Sequence, residues 1–353
     1  MTKTKPPFIS IDKRNIGTAY PPYIIAELSA NHNGSIDTAF RIIDAAKRSG
    51  ADAIKIQSYL PSTITLDCDK TDFQINEGLW AGKTLYQLYE GAHMPWEWHK
   101  PLFEYANKIG ICIFSSPFDV TAVDLLEDLN APAYKIASFE AVDLALIKYV
   151  AATGKPMIIS TGMANADEIA EAIDAARTGG CKELAILHCV SGYPAKPQDY
   201  NLRTIPDMIE RHGLVTGLSD HTIDNITAVT SVAMGASIIE KHVTLDRQGG
   251  GPDDSFSLEP DELASLVTNS KTAWEALGEV SYDLKEGEKG NKIFRRSLYA
   301  VADIKAGEVL TAENVRSIRP GFGLPPRDYE KVLGQVAKAD IEFGTALSWA
   351  LFE

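Results

Sequence analysis

The chain has 353 residues, 45% of them hydrophobic, and a formal net charge of −14 at pH 7. Such acidity excludes nucleic acid as a partner, because phosphate backbones need a concentrated basic surface. No run of about 18 apolar residues offers a membrane span, and the opening MTKTKPPFIS lacks the apolar centre of a signal peptide. A soluble cytoplasmic protein with no membrane partner is expected. The four cysteines (Cys68, Cys112, Cys181, Cys189) show no CxxC spacing and read as reduced thiols, neither a disulfide framework nor a zinc site.

Residues 1–22 hold one alternating segment, FISID, which reads as a small strand or hairpin capping the lower end of a barrel. Eight apolar runs follow, each ending in polar or ionisable residues: YIIAELSAN, AIKIQSY, ICIFSSPF, AYKIAS, PMIISTG, LAILHCVS, TGLSDH and SIIEKHVT. Amphipathic stretches separate them. Ser35–Arg48 places Ile36, Ala39, Ile42, Ile43 and Ala46 at helical spacing before Gly50. Asp167–Arg177 and Thr222–Met234 behave likewise. The pattern is that of an α/β chain folded as a (β/α)8 TIM barrel, whose chemistry sits at the C-terminal ends of the strands.

The connection from Leu60 to Gly110 is unusually long, with helix candidates at Thr84–Gly91 and Pro95–Lys108; a long loop on that face reads as a lid. After the eighth run come RQGGGPDDSFSLEP and a helix over Pro260–Leu277. The barrel is expected to span 1–284 and a polar linker 285–292. In the tail, 293–353, DIKAGEVLT and DIEFGTALS echo one another. They predict a small β-rich C-terminal module with two-fold pseudo-symmetry.

Residues i and i+2 of a strand share a face, so Glu240 and His242 point together while Lys241 points away. His221 ends the preceding strand, about 4.8 Å off. Two imidazoles and a carboxylate then converge, a set that suits a divalent cation with positions left open for water or substrate. The plainer reading is a pair of interior histidines bonded to Glu240 or Asp220. His188, His93 and His99 read as structural, and His32 lies at the mouth.

Lys55 and Lys135 fall within central strands, where an unpaired ammonium costs several kcal/mol. They pair with Glu27 or Glu140, or they hold a small multiply charged anion. Hydroxyls at Ser115, Ser116, Ser138, Ser160, Thr161, Ser191 and Ser219 favour the anion. At 4 Å and an effective dielectric near 20, one lysine–anion contact gives roughly 4 kcal/mol. No P-loop or GxGxxG fingerprint supports a nucleotide.

The motifs ELSANHNG, KIQSY, FSSPF, YKIASFE, ISTGMA, LHCVSGYP, GLSDHT and IEKHVTLD resemble, in order, the strand ends of the sialic acid synthase family. RRSLYAVADIKAGEVLTAENVRSIRPG resembles that family's C-terminal antifreeze-like (SAF) domain. The resemblance implies a metal-dependent transferase joining phosphoenolpyruvate to an open-chain N-acetylated hexosamine, with release of phosphate. LYQLYEGAHMPWEWH, SFEAVDLALI and DRQGGGPDDSFSLEP resemble one branch, whose sugar is 2,4-diacetamido-2,4,6-trideoxy-altrose; an N-acetylmannosamine-type sugar is the alternative within the family.

The resemblance also implies roles. Lys55, Ser116, Lys135, Ser138, Ser160, Ser191 and Ser219 would surround phosphoenolpyruvate, and His221 and His242 would hold manganese, or magnesium or cobalt. Glu27 and Glu240, with Lys55 and Lys135, would act at the reacting carbons. Gln57, Glu140, Tyr193 and Asp253 would face the sugar, joined by Arg319 from the other chain of a domain-swapped homodimer. The family's usual residues at 116 and 191 are Thr and Asn, so the anion contact of Ser191 departs from the pattern. From the residues alone, three other readings stand: a Schiff-base pyruvate aldolase using Lys135 or Lys55, a metal-dependent hydrolase, and a carbohydrate- or ice-binding protein acting through the tail.

Overall fold

The structure, a computed structural model, describes residues 6–353. Two compact units are present, one ending at Gly278 and the other running from Glu279 to Glu353. The division falls ahead of the expected linker at 285–292, because residues 279–296 are exposed throughout. No helix among the described residues is long and apolar enough to cross a membrane.

The first unit opens with an antiparallel hairpin, β1 (Ile9–Ile11) and β2 (Arg14–Ile16). Eight parallel strands follow: β3 (Tyr23–Glu27), β4 (Ala53–Ser58), β5 (Cys112–Pro117), β6 (Tyr134–Ile136), β7 (Met157–Ser160), β8 (Leu184–Cys189), β9 (Val215–Asp220) and β10 (Ile238–His242). They pair in chain order, and β10 closes on β3 with Ile238 opposite Tyr23 and His242 opposite Glu27. The eight runs read from the sequence are these eight strands.

Strand alternation sorts every side chain to one of two cores. Ile24, Ala26, Ile54, Ile56, Ile113, Ile136, Ile159, Ile186 and Ile239 point outward to the helices. Ile25, Ala53, Phe114, Ala133, Ile158, Leu187 and Ile238 point inward and pack with Ile9, Ile11 and Ile16 of the hairpin. The hairpin is thus the lower plug of the barrel, and Ser10 N ties it to Glu183 Oε1 at 2.8 Å.

Helix ends follow local chemistry. Ser35 caps helix Ile36–Ser49 by accepting from Thr38 N, and Gly50 ends it in the left-handed region at φ 84°. The long connection after β4 holds helices Leu85–Ala92 and Trp96–Ile109, within two residues of their predicted ends. Helix Pro260–Leu277 has the expected bounds. The helix expected over Thr222–Met234 begins only at Ile226. Thr222 and Asp224 instead turn their carbonyls onto Lys241 Nζ, both at 2.7 Å, and Asp220 Oδ2 joins them at 2.9 Å. Lys241 does point out of the barrel, into this buried cradle.

In the second unit β11 (Ser297–Ala300) pairs with β12 (Val315–Ile318). The echoed segments meet about a local two-fold. Ile304 and Ile341 exchange backbone hydrogen bonds. Asp303 accepts from Phe343 N at 2.8 Å, and Asp340 accepts from Ala306 N at 2.9 Å. Each aspartate therefore caps the other repeat three residues into its turn.

Candidate active site

The inward row of each strand changes from apolar to polar on the way up. Ile25 gives way to Glu27, Ala53 to Lys55 and Gln57, Phe114 to Ser116, Ala133 to Lys135, Ile158 to Ser160, and Ile238 to Glu240 and His242. Four ionisable groups meet where the polarity changes. Lys55 Nζ lies 2.8 Å from Glu27 Oε2, close enough for an ion pair although off the direction of a hydrogen bond. Glu240 Oε1 is 3.5 Å from Lys55 Nζ and 3.5 Å from Lys135 Nζ. Lys55 also donates to Ser116 Oγ at 3.2 Å, and Ser219 Oγ donates to Glu240 Oε1 at 3.4 Å. All four ionisable side chains are buried.

Burial and pairing divide the charges unequally. Burial pushes the Glu27 carboxyl up, and Lys55 only partly offsets it. Burial acts the same way on Glu240, but Lys135, then Lys55 and His221, outweigh it and hold this carboxyl down as the anion of the cluster. Burial opposes the charge on Lys55, yet Glu240 and Glu27 together raise its pKa. Lys135 has a smaller share of carboxylate, and burial lowers it.

His221 and His242 stand beside this cluster with ring centroids 5.4 Å apart. His221 Nδ1 donates to the Val190 carbonyl at 2.8 Å, which leaves Nε2 with its lone pair. Buried His242 Nδ1 has no hydrogen-bond partner among the described residues, and the nearest carboxylate oxygen, Asp253 Oδ2, is 3.7 Å away. Burial, then the neighbouring His221, drives His242 toward the neutral form a metal requires. Burial opposes the charge on His221, but Cys189 and the Val190 carbonyl raise its pKa. The two imidazoles, one with an orphaned nitrogen, fit a divalent cation that displaces the remaining proton and completes its shell with water and substrate. The expected carboxylate does not join them: among the described residues no group of three or more His, Cys, Asp and Glu could hold a metal. Glu240 is turned to the two lysines instead.

The hydroxyls surround the same space. Ser160 Oγ and Ser191 Oγ are buried and unpartnered among the described residues. Ser138 Oγ accepts from Gly162 N at 3.2 Å. A Cβ on Gly162 would stand 2.3 Å from Ser191 Oγ and 2.8 Å from Ser138 Oγ, so only glycine lets these hydroxyls crowd the backbone. Ser115, by contrast, bonds Ser58 Oγ and the Ile56 carbonyl, outside the cluster.

Above lies a cavity of about 320 Å³, lined by Gln57, Ser138, Glu140, Tyr193, His242 and Asp253 among others. Gln57 Nε2 donates to Glu27 Oε1 at 2.9 Å and Ser29 Oγ at 3.0 Å, and Ser29 Oγ donates to Asp253 Oδ2 at 2.5 Å. The Tyr193 ring lies tilted against His221, with centroids 4.5 Å apart. Arg319 lies in the second unit, on an exposed turn after β12. His32 packs edge-on to Trp98 at 5.4 Å and is not among the cavity-lining residues. His99 bonds Ser58 Oγ and His188 bonds the Tyr200 carbonyl, both structural as expected.

Two further residues belong to the site, and only one of them carries a sequence signal. Ser29 holds φ 48°, a left-handed conformation uncommon for serine, and links Gln57 to Asp253. Cys189 faces His221, Ser138 and Lys135; its i, i+2 relation to Leu187, inside the barrel, was the available clue.

An eight-stranded parallel barrel with buried lysines, unpartnered hydroxyls and paired imidazoles at its mouth defines an enzyme for anionic small molecules. The NeuB family model matches residues 42–282 and the SAF domain model matches 295–353. The chain is 46% identical over 333 residues to the pseudaminic acid synthase of Campylobacter jejuni strain 81-176, covering 94% of this chain and 97% of that one. It is 37% identical to the N,N'-diacetyllegionaminic acid synthase of Campylobacter jejuni strain NCTC 11168, covering 89% and 95%. The solved N-acetylneuraminic acid synthetase of Leptospira borgpetersenii superposes with a TM-score of 0.73 at 32% identity, over 81% of this chain and 95% of that one. The chain belongs to the NeuB family.

Burial also raises Glu140, to about 7 from an ordinary value of 4.5. The folded state therefore holds this proton where the unfolded chain has released it. Its stabilising effect is complete below about pH 4.5 and is lost as pH rises through about 7. Glu140→Gln should match the wild-type Tm at pH 4 and exceed it at pH 8, by a few degrees; calorimetry at the two pH values checks this.

Proposed function

We propose that this chain is a pseudaminic acid synthase. It joins phosphoenolpyruvate to the open-chain aldehyde of 2,4-diacetamido-2,4,6-trideoxy-altrose, giving a nine-carbon 2-keto acid and phosphate. The observation that carries the chemistry is the pair of ammonium groups sharing Glu240 beside two imidazoles whose ring centroids are 5.4 Å apart. The lysines and the hydroxyls of Ser116, Ser138, Ser160, Ser191 and Ser219 bind the carboxylate and phosphate of phosphoenolpyruvate. Gln57, Glu140, Tyr193 and Asp253 orient the sugar. His221 and His242 would hold a divalent cation such as manganese, which would supply Lewis-acid polarisation of the aldehyde oxygen.

Carbon 3 of phosphoenolpyruvate attacks the aldehyde carbon, whose oxygen takes up a proton, and leaves positive charge at carbon 2. Water adds there and loses a proton. Glu27 is the acceptor: burial raises its pKa and so strengthens it as a base, and Gln57 fixes its orientation. Glu240 stays ionised, stabilises the charge developing at carbon 2 and holds both lysines in place. The tetrahedral phosphate adduct then collapses with cleavage of the carbon–oxygen bond. A Schiff-base aldolase would need a free neutral amine; Lys55 is instead held charged by two carboxylates, and Lys135, although burial lowers it, is tied 3.5 Å from Glu240 Oε1. A cytoplasmic homodimer that brings Arg319 to the partner's sugar site accords with the exposure of that residue.

Incubation with the two substrates should release phosphate and yield a product of the summed carbon skeleton. Label placed in the bridging oxygen of phosphoenolpyruvate should appear in the phosphate; label retained in the keto acid contradicts this chemistry. His242→Ala should lower kcat by about 100-fold or more, since loss of Lewis-acid stabilisation is worth several kcal/mol. Calorimetry should still show phosphoenolpyruvate binding to the variant.

A further inference from the structure

The depth of each residue in the mouth can be read from the strands. Lys55 and Gln57 share the inward face of β4, and Tyr59 follows at the next step; each step rises about 6.6 Å. On β5 Ser116 lies opposite Gln57 in register, and Phe118 is one step above Ser116. Tyr59 and Phe118 thus form a layer directly over the polar one. Their rings meet edge to face with centroids 5.1 Å apart. Helix Leu85–Ala92 of the long connection closes this layer with Tyr89, 5.8 Å from the Tyr59 ring, and with Leu88. Ile64 completes the apolar corner, and all five residues line the cavity that also holds Gln57, Asp253 and His242.

The corner has a chemical consequence that rests on the synthase reading. Carbon 1 of the sugar must reach the polar layer, where the lysines and imidazoles are. An open six-carbon chain spans about 6 Å, close to one two-residue step. Carbon 6 therefore arrives among Tyr59, Leu88 and Phe118. A methyl group fits there, whereas a hydroxymethyl group would lose water on the side where it meets the carbon atoms of Leu88 and Phe118. We propose that Tyr59, Leu88 and Phe118 form a specificity pocket for the C6 methyl of a 6-deoxy sugar.

The test compares kcat/KM for the 6-deoxy diacetamido sugar with that for the same sugar bearing hydroxymethyl at C6. Wild-type enzyme should favour the deoxy sugar by roughly 10–100-fold. Leu88→Asn should narrow the ratio to a few-fold by raising KM for the deoxy sugar, with KM for phosphoenolpyruvate unchanged, and Leu88→Met should retain it. A wild-type ratio near one, which needs no variant to fold, overturns the pocket while leaving the synthase intact. So does an unchanged ratio in folded Leu88→Asn. Turnover of neither sugar overturns the synthase reading and the pocket with it.

Discussion

One carboxylate oxygen, Glu240 Oε1, stands 3.5 Å from two buried ammonium groups, and the rest of the mouth is arranged around that sharing. Inside a dry barrel neither lysine could remain charged alone, because desolvation of an unpaired ammonium costs several kcal/mol. Glu27 takes the second half of the Lys55 charge, which leaves Lys135 the less compensated cation. In a chain of net charge −14, two charged lysines are thereby kept together at the mouth, where an anion can meet them. The hydroxyls of Ser160 and Ser191, unpartnered among the described residues, accord with that site, since buried polar groups in folded proteins seldom lack partners.

The barrel beneath makes the cluster possible. Its inward rows are apolar below and are plugged by Ile9, Ile11 and Ile16 of the hairpin, so the lysines are reached only from the mouth. The outward rows are mostly apolar because helices cover them. The polar outward exceptions carry their own partners: Lys241 is satisfied by Asp220 and by the carbonyls of Thr222 and Asp224. This cradle shortens the following helix at its start and places His221 at the rim of β9.

Alternation is why so much was legible in the sequence. In IIEKHVT and AIKIQSY a two-residue period separates the charges that enter the barrel from those that leave it. The strand ends then name Glu27, Lys55, Lys135, Glu240, His221 and His242 without any knowledge of distance. Partner choice was not legible: strand position gives Glu240 to the histidines and to the lysines alike, and only the side-chain geometry turns it to the lysines. Ser29 was missed because its role depends on a left-handed backbone that serine seldom adopts. The lid residues Leu88 and Tyr89 were missed because a helix face shows its direction only once it is docked. His32, next to the mouth in sequence, is drawn off by Trp98.

The central claim is that Lys55 and Lys135 act as one anion site through Glu240. A double-mutant cycle on phosphoenolpyruvate affinity, with Lys55→Met, Lys135→Met and the double variant measured by calorimetry, tests it most directly. The account predicts a coupling energy of about 1 kcal/mol or more. Losses that add to within about 0.5 kcal/mol would mean two independent lysines, and the shared site would be contradicted.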